Sequence, residues 1–258
     1  MEHLKRAAEL LKEEIRRAAE LHDIELFKQP SIPEEECPIC FLRLSNLTSG
    51  WRYQTCCGKI ICCGCIHAMD KICPFCRTPT PKSDGKYIEQ IMKRVDAGDA
   101  QGIASLGFYY NNGMYGLPQD HAKALKHWRR AAELGYVAAD FNISCNYANG
   151  HEVEMDMKKA MYYWELAAMG GHTAARHNLG AFENNAGNMD RALRHYMISV
   201  DGGCHLSLRE IQKLYKGGLA TKDDYTTALL AYQKYLNEVK SPQRDEAAAA
   251  SEDYKYIE

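Results

Sequence analysis

The sequence lacks a long apolar segment and a surplus of charge of either sign. No run approaches the ~18 apolar residues of a membrane span, and the N-terminal stretch MEHLKRAAELLKEEIRRAAEL carries acidic side chains that are foreign to signal and transit peptides. Its 32 Lys and Arg against 34 Asp and Glu give a formal charge of -2, too little to draw the chain onto nucleic acid or an anionic membrane. We therefore expect a cytoplasmic or nuclear protein whose partners are proteins, with no nucleic-acid and no membrane partner.

Cysteine is scarce over most of the chain and concentrated in one stretch. Of 11 cysteines, nine lie between Cys37 and Cys76, and only Cys145 and Cys204 follow. Clustered thiols in a reducing compartment hold metal more often than they form disulfides. Four prolines flank the stretch: Pro30, Pro33, Pro79 and Pro81. Because proline and the residue before it avoid the helix, we predict a separate small domain over residues 34–82.

The two ends of the chain are polar segments with different patterns. Residues 1–30 are predicted to form an amphipathic helix, whose seam has spacings of four and three and consists of Leu4, Ala8, Leu11, Ile15, Ala18 and His22. Two alanines and a histidine weaken a coiled-coil seam, so the pattern favours packing on the same protein and leaves self-association as the alternative. Residues 241–258 are acidic and poor in branched apolar side chains, and we expect them to be disordered.

The segment over residues 88–240 repeats itself. Four alanines recur at intervals of 36, 32 and 36 residues, each with an aromatic residue four positions later and a short polar residue four positions earlier. The alanines are Ala124, Ala160, Ala192 and Ala228, the aromatic residues are Trp128, Trp164, Tyr196 and Tyr232, and the polar residues are Asp120, Asp156, Asn188 and Asp224. Because Asp and Asn side chains accept bonds from free N–H groups, a helix is predicted to begin at each polar residue.

Each unit has a second recurrence upstream, in which a small residue precedes an aliphatic one by four positions. The pairs are Gly102 and Leu106, Ala139 and Ile143, Ala175 and Leu179, and Ser207 and Ile211. Such a pair lets another helix approach closely, so each unit is predicted to contain two helices. Gly135, Gly171 and Gly203 follow the aromatic positions and supply helix stops. The pattern indicates a mainly α chain with an α-helical solenoid of about four two-helix repeats.

Residues 100–135, AQGIASLGFYYNNGMYGLPQDHAKALKHWRRAAELG, resemble a Sel-1-like repeat, a relative of the tetratricopeptide repeat. The ending YYWELAAMGG at 162–171 repeats that of the first unit, whereas the third unit is four residues shorter and Val239 replaces the last glycine. The resemblance implies a right-handed solenoid that acts as an adaptor surface for a protein substrate and has no catalytic residues. Periodic aromatic residues in such a solenoid are predicted to pack between helices.

The cysteine stretch contains three C-x-x-C pairs and one adjacent pair. In chain order these are Cys37 and Cys40, Cys56 and Cys57, Cys62 and Cys65, and Cys73 and Cys76. Zinc takes four thiolate or imidazole ligands tetrahedrally, and a C-x-x-C turn presents two sulfurs to one ion. Nine cysteines therefore supply two structural Zn²⁺ sites with one thiol to spare.

The spacing resembles a RING finger, a small α+β domain in which ligand pairs alternate between two zinc ions. The resemblance implies one site of Cys37, Cys40, Cys62 and Cys65 and another of Cys56, Cys57, Cys73 and Cys76, with Cys63 as the spare thiol. Lys59 stands where common RING fingers have histidine, and a protonated amine has no lone pair for zinc. The second pair is therefore assigned to the adjacent cysteines, with His67 as an alternative ligand in place of one of them.

The same resemblance implies a RING-type ubiquitin ligase. Its contacts with a ubiquitin-conjugating enzyme and ubiquitin would come from Ile39, Pro74 and Arg77. Catalysis would have no covalent step: Arg77 would act as a linchpin that orients the carried ubiquitin for attack. The alternative is a zinc-stabilised protein-interaction scaffold without transferase activity.

Overall fold

The computed structural model describes residues 2–28, 35–69, 71–150 and 153–257. These residues are mostly helical, as the sequence predicts. The helices are α1 (Glu2–Phe27), α2 (Cys63–His67), α3 (Asp84–Asp96), α4 (Ala100–Asn112), α5 (His121–Glu133), α6 (Val137–Asn149), α7 (Met157–Met169), α8 (Thr173–Asn185), α9 (Met189–Asp201), α10 (His205–Lys216), α11 (Lys222–Val239) and α12 (Pro242–Ala250). None of the helices in these ranges is long and apolar enough to cross a membrane.

The described residues between 35 and 82, here called the cysteine module, contain a small antiparallel sheet. Strand β1 (Trp51–Gln54) pairs with β2 (Lys59–Cys62), with Trp51 opposite Cys62 and Gln54 opposite Lys59. Helix α2 follows β2 without a break. Four of the six residues in the buried apolar cluster of the module are cysteines, and the other two are Leu44 and Ile61.

Helices α4 to α11 stack as antiparallel pairs and form the solenoid. The four repeating alanines are all fully buried. In the first and third units the aromatic residue packs against a glycine of the preceding helix. A Cβ atom at Gly107 would lie 2.8 Å from the Trp128 ring, and one at Gly180 would lie 2.6 Å from the Tyr196 ring. The aromatic side chains are therefore core residues, which require a small neighbour on the facing helix.

The predicted helix starts are confirmed in three units, at Asp120, Asp156 and Asn188, and corrected in the fourth. The side chains of Asp120 and Asp156 accept bonds from backbone N–H groups three residues on. Asn188 precedes α9, but its amide donates to Glu183 instead of capping the helix. In the fourth unit Thr221 is the cap, and Asp224 completes a capping box from within the first turn.

The aromatic position of the fourth unit also differs from the prediction. Tyr232 is only half-buried, whereas Tyr235 is 2% exposed. Gly203, one of the predicted turn glycines, has φ +89, and a Cβ atom there would lie 2.3 Å from the Tyr235 ring. Because the Tyr235 ring packs against the turn at Gly203, the buried aromatic residue of α11 lies three residues after the predicted position.

Helix α1 contacts the solenoid only through its last turns. Leu26 is 1% exposed, its carbonyl accepts a bond from Arg176, and Phe27 packs against the His195 ring at 4.5 Å. Of the predicted seam, His22 lies 3.3 Å from Glu165 of α7, whereas Leu11 and Ile15 are more than half exposed. The side chains of Leu4 and Ala8 lie outside the described residues. The described contacts of α1 therefore come from the end of the helix, which includes the last residue of the seam.

The expectation of a disordered tail was wrong. Residues 242–250 form α12, which begins with the Ser241 side chain accepting a bond from the backbone of Arg244. Arg244 and Tyr256 are each 1% exposed. The acidic composition of the tail is real, but a few of its residues find buried partners on the cysteine module, which composition cannot reveal.

Helix α3 is an element that the repeat pattern did not predict. It occupies the joint after Pro81 and packs on α4 through Ile91 and Val95, which are both buried. It covers the face of α4 that has no preceding repeat. End repeats of a solenoid need such a cover because they have a neighbour on one side only.

Candidate metal centre

Eight cysteines of the module form two compact groups. The first cysteine group is Cys37, Cys40, Cys62 and Cys65, and the second cysteine group is Cys56, Cys57, Cys73 and Cys76. Within each group the sulfur atoms all lie within 4.8 Å of one another. These are the groups predicted from the sequence, and in each one a pair from the first half of the module meets a pair from the second half.

The sulfur spacing fits a tetrahedral metal ion better than a disulfide. All the cysteines of both groups are free thiols. Cys40 and Cys62 sulfurs are 3.7 Å apart, and those of Cys57 and Cys73 are 3.8 Å apart. A tetrahedron with zinc–sulfur bonds of about 2.3 Å has edges of about 3.8 Å. Either group could therefore hold a metal ion with little movement.

Two loops of the same construction bring these sulfurs together. In one, the N–H of Phe41 donates to the carbonyl of Cys37 at 2.8 Å; in the other, the N–H of Arg77 donates to the carbonyl of Cys73 at 2.9 Å. Phe41 and Arg77 have φ of 59 and 63. The repeated C-P-x-C sequence thus folds twice into one loop, each time with a left-handed residue after the second cysteine.

Crowding of the thiols changes their acidity in opposite directions. The pKa of Cys37 is lowered, chiefly because its sulfur accepts a bond from the Cys62 thiol, and the pKa of Cys62 is raised by the same bond. Burial raises the pKa of Cys56 and of Cys65. The thiols of one group do not all ionise together without a compensating charge. A divalent cation supplies that charge and stabilises every thiolate of a group at once.

The remaining two candidate ligands lie outside both groups. Cys63 is fully buried, but it packs with Tyr235, Val239 and other residues of the C-terminal segment. The His67 ring packs edge-on against Tyr254, with ring centroids 5.8 Å apart. Cys63 therefore packs the module against the C-terminal segment, which it is free to do because neither group includes it as a ligand. His67 contacts the same segment through Tyr254.

The three residues predicted to touch a conjugating enzyme differ in exposure. Ile39 is 38% exposed and lies between Cys37 and Cys40. Arg77 is exposed, whereas Pro74 is buried within its loop. Phe41 and Phe75 are also exposed, at 71% and 46%, and the sequence reasoning did not single them out. Each C-P-x-C loop therefore presents apolar side chains to solvent.

The module contacts both ends of the helical region. On the N-terminal side, the Tyr53 hydroxyl donates to Asp99 at 2.7 Å, and Arg94 donates to the carbonyl of Cys56 at 3.2 Å. On the C-terminal side, the backbone N–H of Asn46 donates to the Tyr235 hydroxyl at 2.9 Å. The cysteine module therefore links the first and last units of the solenoid.

Comparisons with known proteins agree with this architecture. Residues 100–136 and 137–172 each match the family model of the Sel1 repeat. A Sel1 repeat protein from Oxalobacter formigenes has a similar structure, with a TM-score of 0.54 and 23% identity over 73% of this chain and 71% of that one. The comparison with a protective antigen of uropathogenic Escherichia coli that has an SLR fold gives a TM-score of 0.49 and 24% identity. The aligned region covers 66% of this chain and 37% of the antigen.

The search of curated proteins found no match, and the matching family model leaves the cysteine module uncovered. Sel1 repeats mediate protein–protein interactions, so the helical region is an interaction scaffold. Residues 100–172 are two Sel1 repeats within a helical solenoid, to which a cysteine module with two possible metal sites is attached.

Proposed function

We propose that the protein is a RING-type ubiquitin ligase. The observation that carries the proposal is the interleaving of the two cysteine groups, in which the first and third pairs along the chain meet, as do the second and fourth. A simple zinc ribbon or knuckle would join neighbouring pairs instead. Interleaving at this spacing is the arrangement that the RING resemblance implies.

The metal in this proposal is zinc, with one ion in each cysteine group. Four thiolates are a ligand set typical of structural zinc, and they leave no position for a reactive water. Zinc would supply folding energy to the module, because four of the six residues in its buried apolar cluster are proposed ligands. The module's own residues would then hold the two C-P-x-C loops side by side as a binding surface.

The proposed catalytic contribution is orientation by Arg77. Its side chain is exposed beside a proposed zinc ligand, and its guanidinium offers five N–H donors in a fixed plane. Those donors can bond to a conjugating enzyme and to the ubiquitin that it carries at the same time. Ile39, on the other loop, would supply an apolar contact for the enzyme. Holding the thioester in one arrangement speeds attack by a substrate amine without any bond to the ligase.

The substrate in this proposal is a protein bound by the Sel1 repeats. Two of the exposed apolar side chains in the repeats, Phe108 and Tyr162, lie on different helices of the solenoid. The contacts of the module with both ends of the helical region would fix the distance between bound substrate and bound enzyme. A fixed distance favours modification of those lysines that lie within reach.

The test is ubiquitin-chain assembly by the purified full chain with a panel of conjugating enzymes. The decisive variant is Arg77→Gly, since φ of 63 at this position is strained for arginine and suits glycine. We expect Arg77→Gly to keep the fold and its metal content while losing at least about ten-fold in chain assembly, equivalent to about 1.4 kcal/mol. Arg209→Ala, an exposed arginine of the repeats, is the matched control and should retain activity.

A second candidate is an interaction scaffold without transferase activity, and the burial of Pro74 favours it. In the ligase interpretation this proline would touch the conjugating enzyme, yet it is buried. If no conjugating enzyme in the panel supports chain formation while both metals are bound, the scaffold is the better description. Activity that is equal in the parent and in Arg77→Gly would also refute the linchpin.

A further inference from the structure

Arg244 is a buried arginine without a carboxylate partner among the described residues. It is 1% exposed. Its Nη1 donates to the carbonyls of Arg43 at 2.7 Å and Val239 at 2.8 Å, and its Nη2 donates to the carbonyl of Leu42 at 3.3 Å. Burying a guanidinium that meets only neutral acceptors is costly, because the charge leaves water without a counter-charge. A negative charge close to Arg244 would remove that cost.

The first cysteine group lies beside this guanidinium. Nη2 of Arg244 is 3.9 Å from the sulfur of Cys40. The thiol of Cys65 faces the preceding residue of α12, Gln243, and donates to its side-chain oxygen Oε1 at 3.9 Å. Two consecutive residues at the C-terminal end of the chain thus reach two sulfurs of one cysteine group.

The close approach of α12 depends on a glycine in α2. A Cβ atom at Gly64 would lie 3.0 Å from the backbone nitrogen of Arg244 and 3.1 Å from its Cγ. Gly64 stands directly before the ligand candidate Cys65. The absence of a side chain at Gly64, next to a cysteine of the first group, therefore leaves space for α12, the helix that carries Arg244.

Four thiolates around one divalent cation carry a net charge of minus two. In a buried site this charge needs nearby N–H donors or a cation. The backbone N–H of Cys62, 3.5 Å from the sulfur of Cys37, is one such donor, and Arg244 is the cation. Arginine stays protonated at all ordinary pH values, so the compensation is permanent.

The second cysteine group has no such cover. The nearby arginine, Arg94, directs its Nη2 to the carbonyl of Cys56 at 3.2 Å and lies 3.9 Å from the carboxylate of Asp99. Cys76 is exposed, and its sulfur contacts the hydroxyl of Thr78 at 3.2 Å. The two groups share a ligand set but differ in the charge and burial of their surroundings.

We propose that Arg244 is the counter-cation of the first cysteine group, so that metal retention there is coupled to docking of the C-terminal helix. The proposal rests on metal binding by the module, as proposed above, and does not depend on ligase activity. When a metal ion is bound, the negative charge of the first group lowers the free-energy cost of burying the Arg244 guanidinium. This attraction holds α12 against α2. In return, α12 shields the sulfurs and slows loss of the metal.

The experiment follows zinc release from the full chain into excess chelator, by native mass spectrometry. Alkylation of the freed thiols, mapped by peptide, identifies which group has lost its ion. The parent should release one zinc quickly from the second group and the other slowly from the first. In Arg244→Gln the slow release should become about 10- to 100-fold faster, the usual effect of losing an outer-shell partner.

Two further variants separate charge from packing. Arg244→Lys keeps the cation and should release the first-group zinc far more slowly than Arg244→Gln. Arg43→Met, the matched control, breaks the ion pair of Arg43 with Glu238 at the same interface and should leave the slow release unchanged. An unchanged slow release in Arg244→Gln, or equal rates in the Lys and Gln variants, would overturn the counter-cation.

The coupling also has a readout that needs no variant. Amide hydrogen exchange over residues 242–250 should accelerate in the parent when the first-group metal is removed, and unchanged protection there would contradict the proposal. If the parent chain binds no zinc at all, the metal sites of the proposed function fail. If it binds two ions that leave at rates independent of Arg244, only the counter-cation fails.

Discussion

The cysteine module and the Sel1 solenoid obtain their stability from different sources. Four of the six buried residues in the module's cluster are cysteines, whereas the first cluster of the solenoid consists of aliphatic, aromatic and alanine side chains. The solenoid buries enough apolar surface to fold by the hydrophobic effect. Four cysteines of the candidate metal sites lie in the module's buried cluster, and in the proposed zinc-bound form their contribution to folding depends on the ion. One chain therefore contains a region stabilised by apolar packing and a region whose proposed stability comes from metal binding.

The two regions nevertheless meet at contacts that neither could make alone. Tyr235, on the last helix of the solenoid, is buried in one cluster with Cys63 of the module, and its hydroxyl accepts a bond from the backbone N–H of Asn46. The turn at Gly203 also faces the module, because its carbonyl accepts a bond from the Asn46 side chain at 3.0 Å. If metal binding changes the conformation of the module, these contacts would pass the change directly to the last repeat and only indirectly to the middle repeats.

The largest expected effect comes from removing metal, which should separate the two regions. A strong chelator should unfold the cysteine module entirely, because its core is mostly ligands. Helices α4 to α9 should stay folded, since their core contains no ligand. Hydrogen exchange resolved by peptide measures both at once. Melting of all the repeats together with the module would show that the chain is one cooperative unit.

The next effect tests the solenoid alone. Trp128 is 3% exposed and packs on Gly107, and its indole N–H donates to the carbonyl of Ala104 at 3.2 Å. Trp128→Ala should lower the free energy of unfolding of the repeats by about 3–5 kcal/mol, the usual cost of removing a buried aromatic ring. Tyr162→Ala, at a side chain that is 56% exposed, should have almost no effect. Urea unfolding gives both values.

In these two variants the metal content should remain that of the parent. If Trp128→Ala also loses zinc under native conditions, the two regions do not have separate sources of stability.

A smaller effect is expected from pH, and it should come from the repeats. Burial, with help from Arg176, Arg191 and Arg194, lowers the pKa of His195 to about 3, although Asp23 acts in the opposite direction. An unfolded histidine titrates near 6.5. Between these values the unfolded chain binds more protons, so the free energy of unfolding falls as pH falls below about 6.5. The maximal slope for one proton is about 1.4 kcal/mol per pH unit.

His195→Leu should remove that slope. The measurement is the free energy of unfolding of parent and variant between pH 7 and pH 5, and their difference cancels the acid sensitivity of the thiolates. Parallel curves for the parent and His195→Leu would show that this histidine binds protons equally in the folded and unfolded states.

Much of the fold could be predicted where one physical constraint recurs along the chain. The alanine and aromatic positions repeat because each pair of helices must approach its neighbour closely, and all four alanines are buried. The two cysteine groups could be predicted because the order of the cysteine pairs along the chain resembles that of a RING finger. Where the recurrence weakens, prediction failed: Tyr235 took the place expected for Tyr232, and α3 carries no repeat signature.

The candidate site could be predicted only in part for a different reason. The eight thiols are identified by residue type, but Arg244 lies far along the chain from Cys40 in a segment whose composition suggests disorder. No local pattern distinguishes an arginine that will be buried from one that will stay in solvent. Likewise, the seam of α1 has the spacing of a packed face, yet Leu11 and Ile15 are exposed and the helix end makes the contact.

The sequence by itself determined the helical repeats, because spacing along the chain dictates which side chains share a helix face, and its resemblance to a RING finger predicted the two cysteine groups. The tertiary structure alone decided that the module joins the first and last units of the solenoid, and that the C-terminal helix brings a buried cation to one cysteine group. Those contacts join residues that lie far apart in the chain, such as Asn46 with Tyr235 and Arg43 with Arg244, and they have no signature at any single residue.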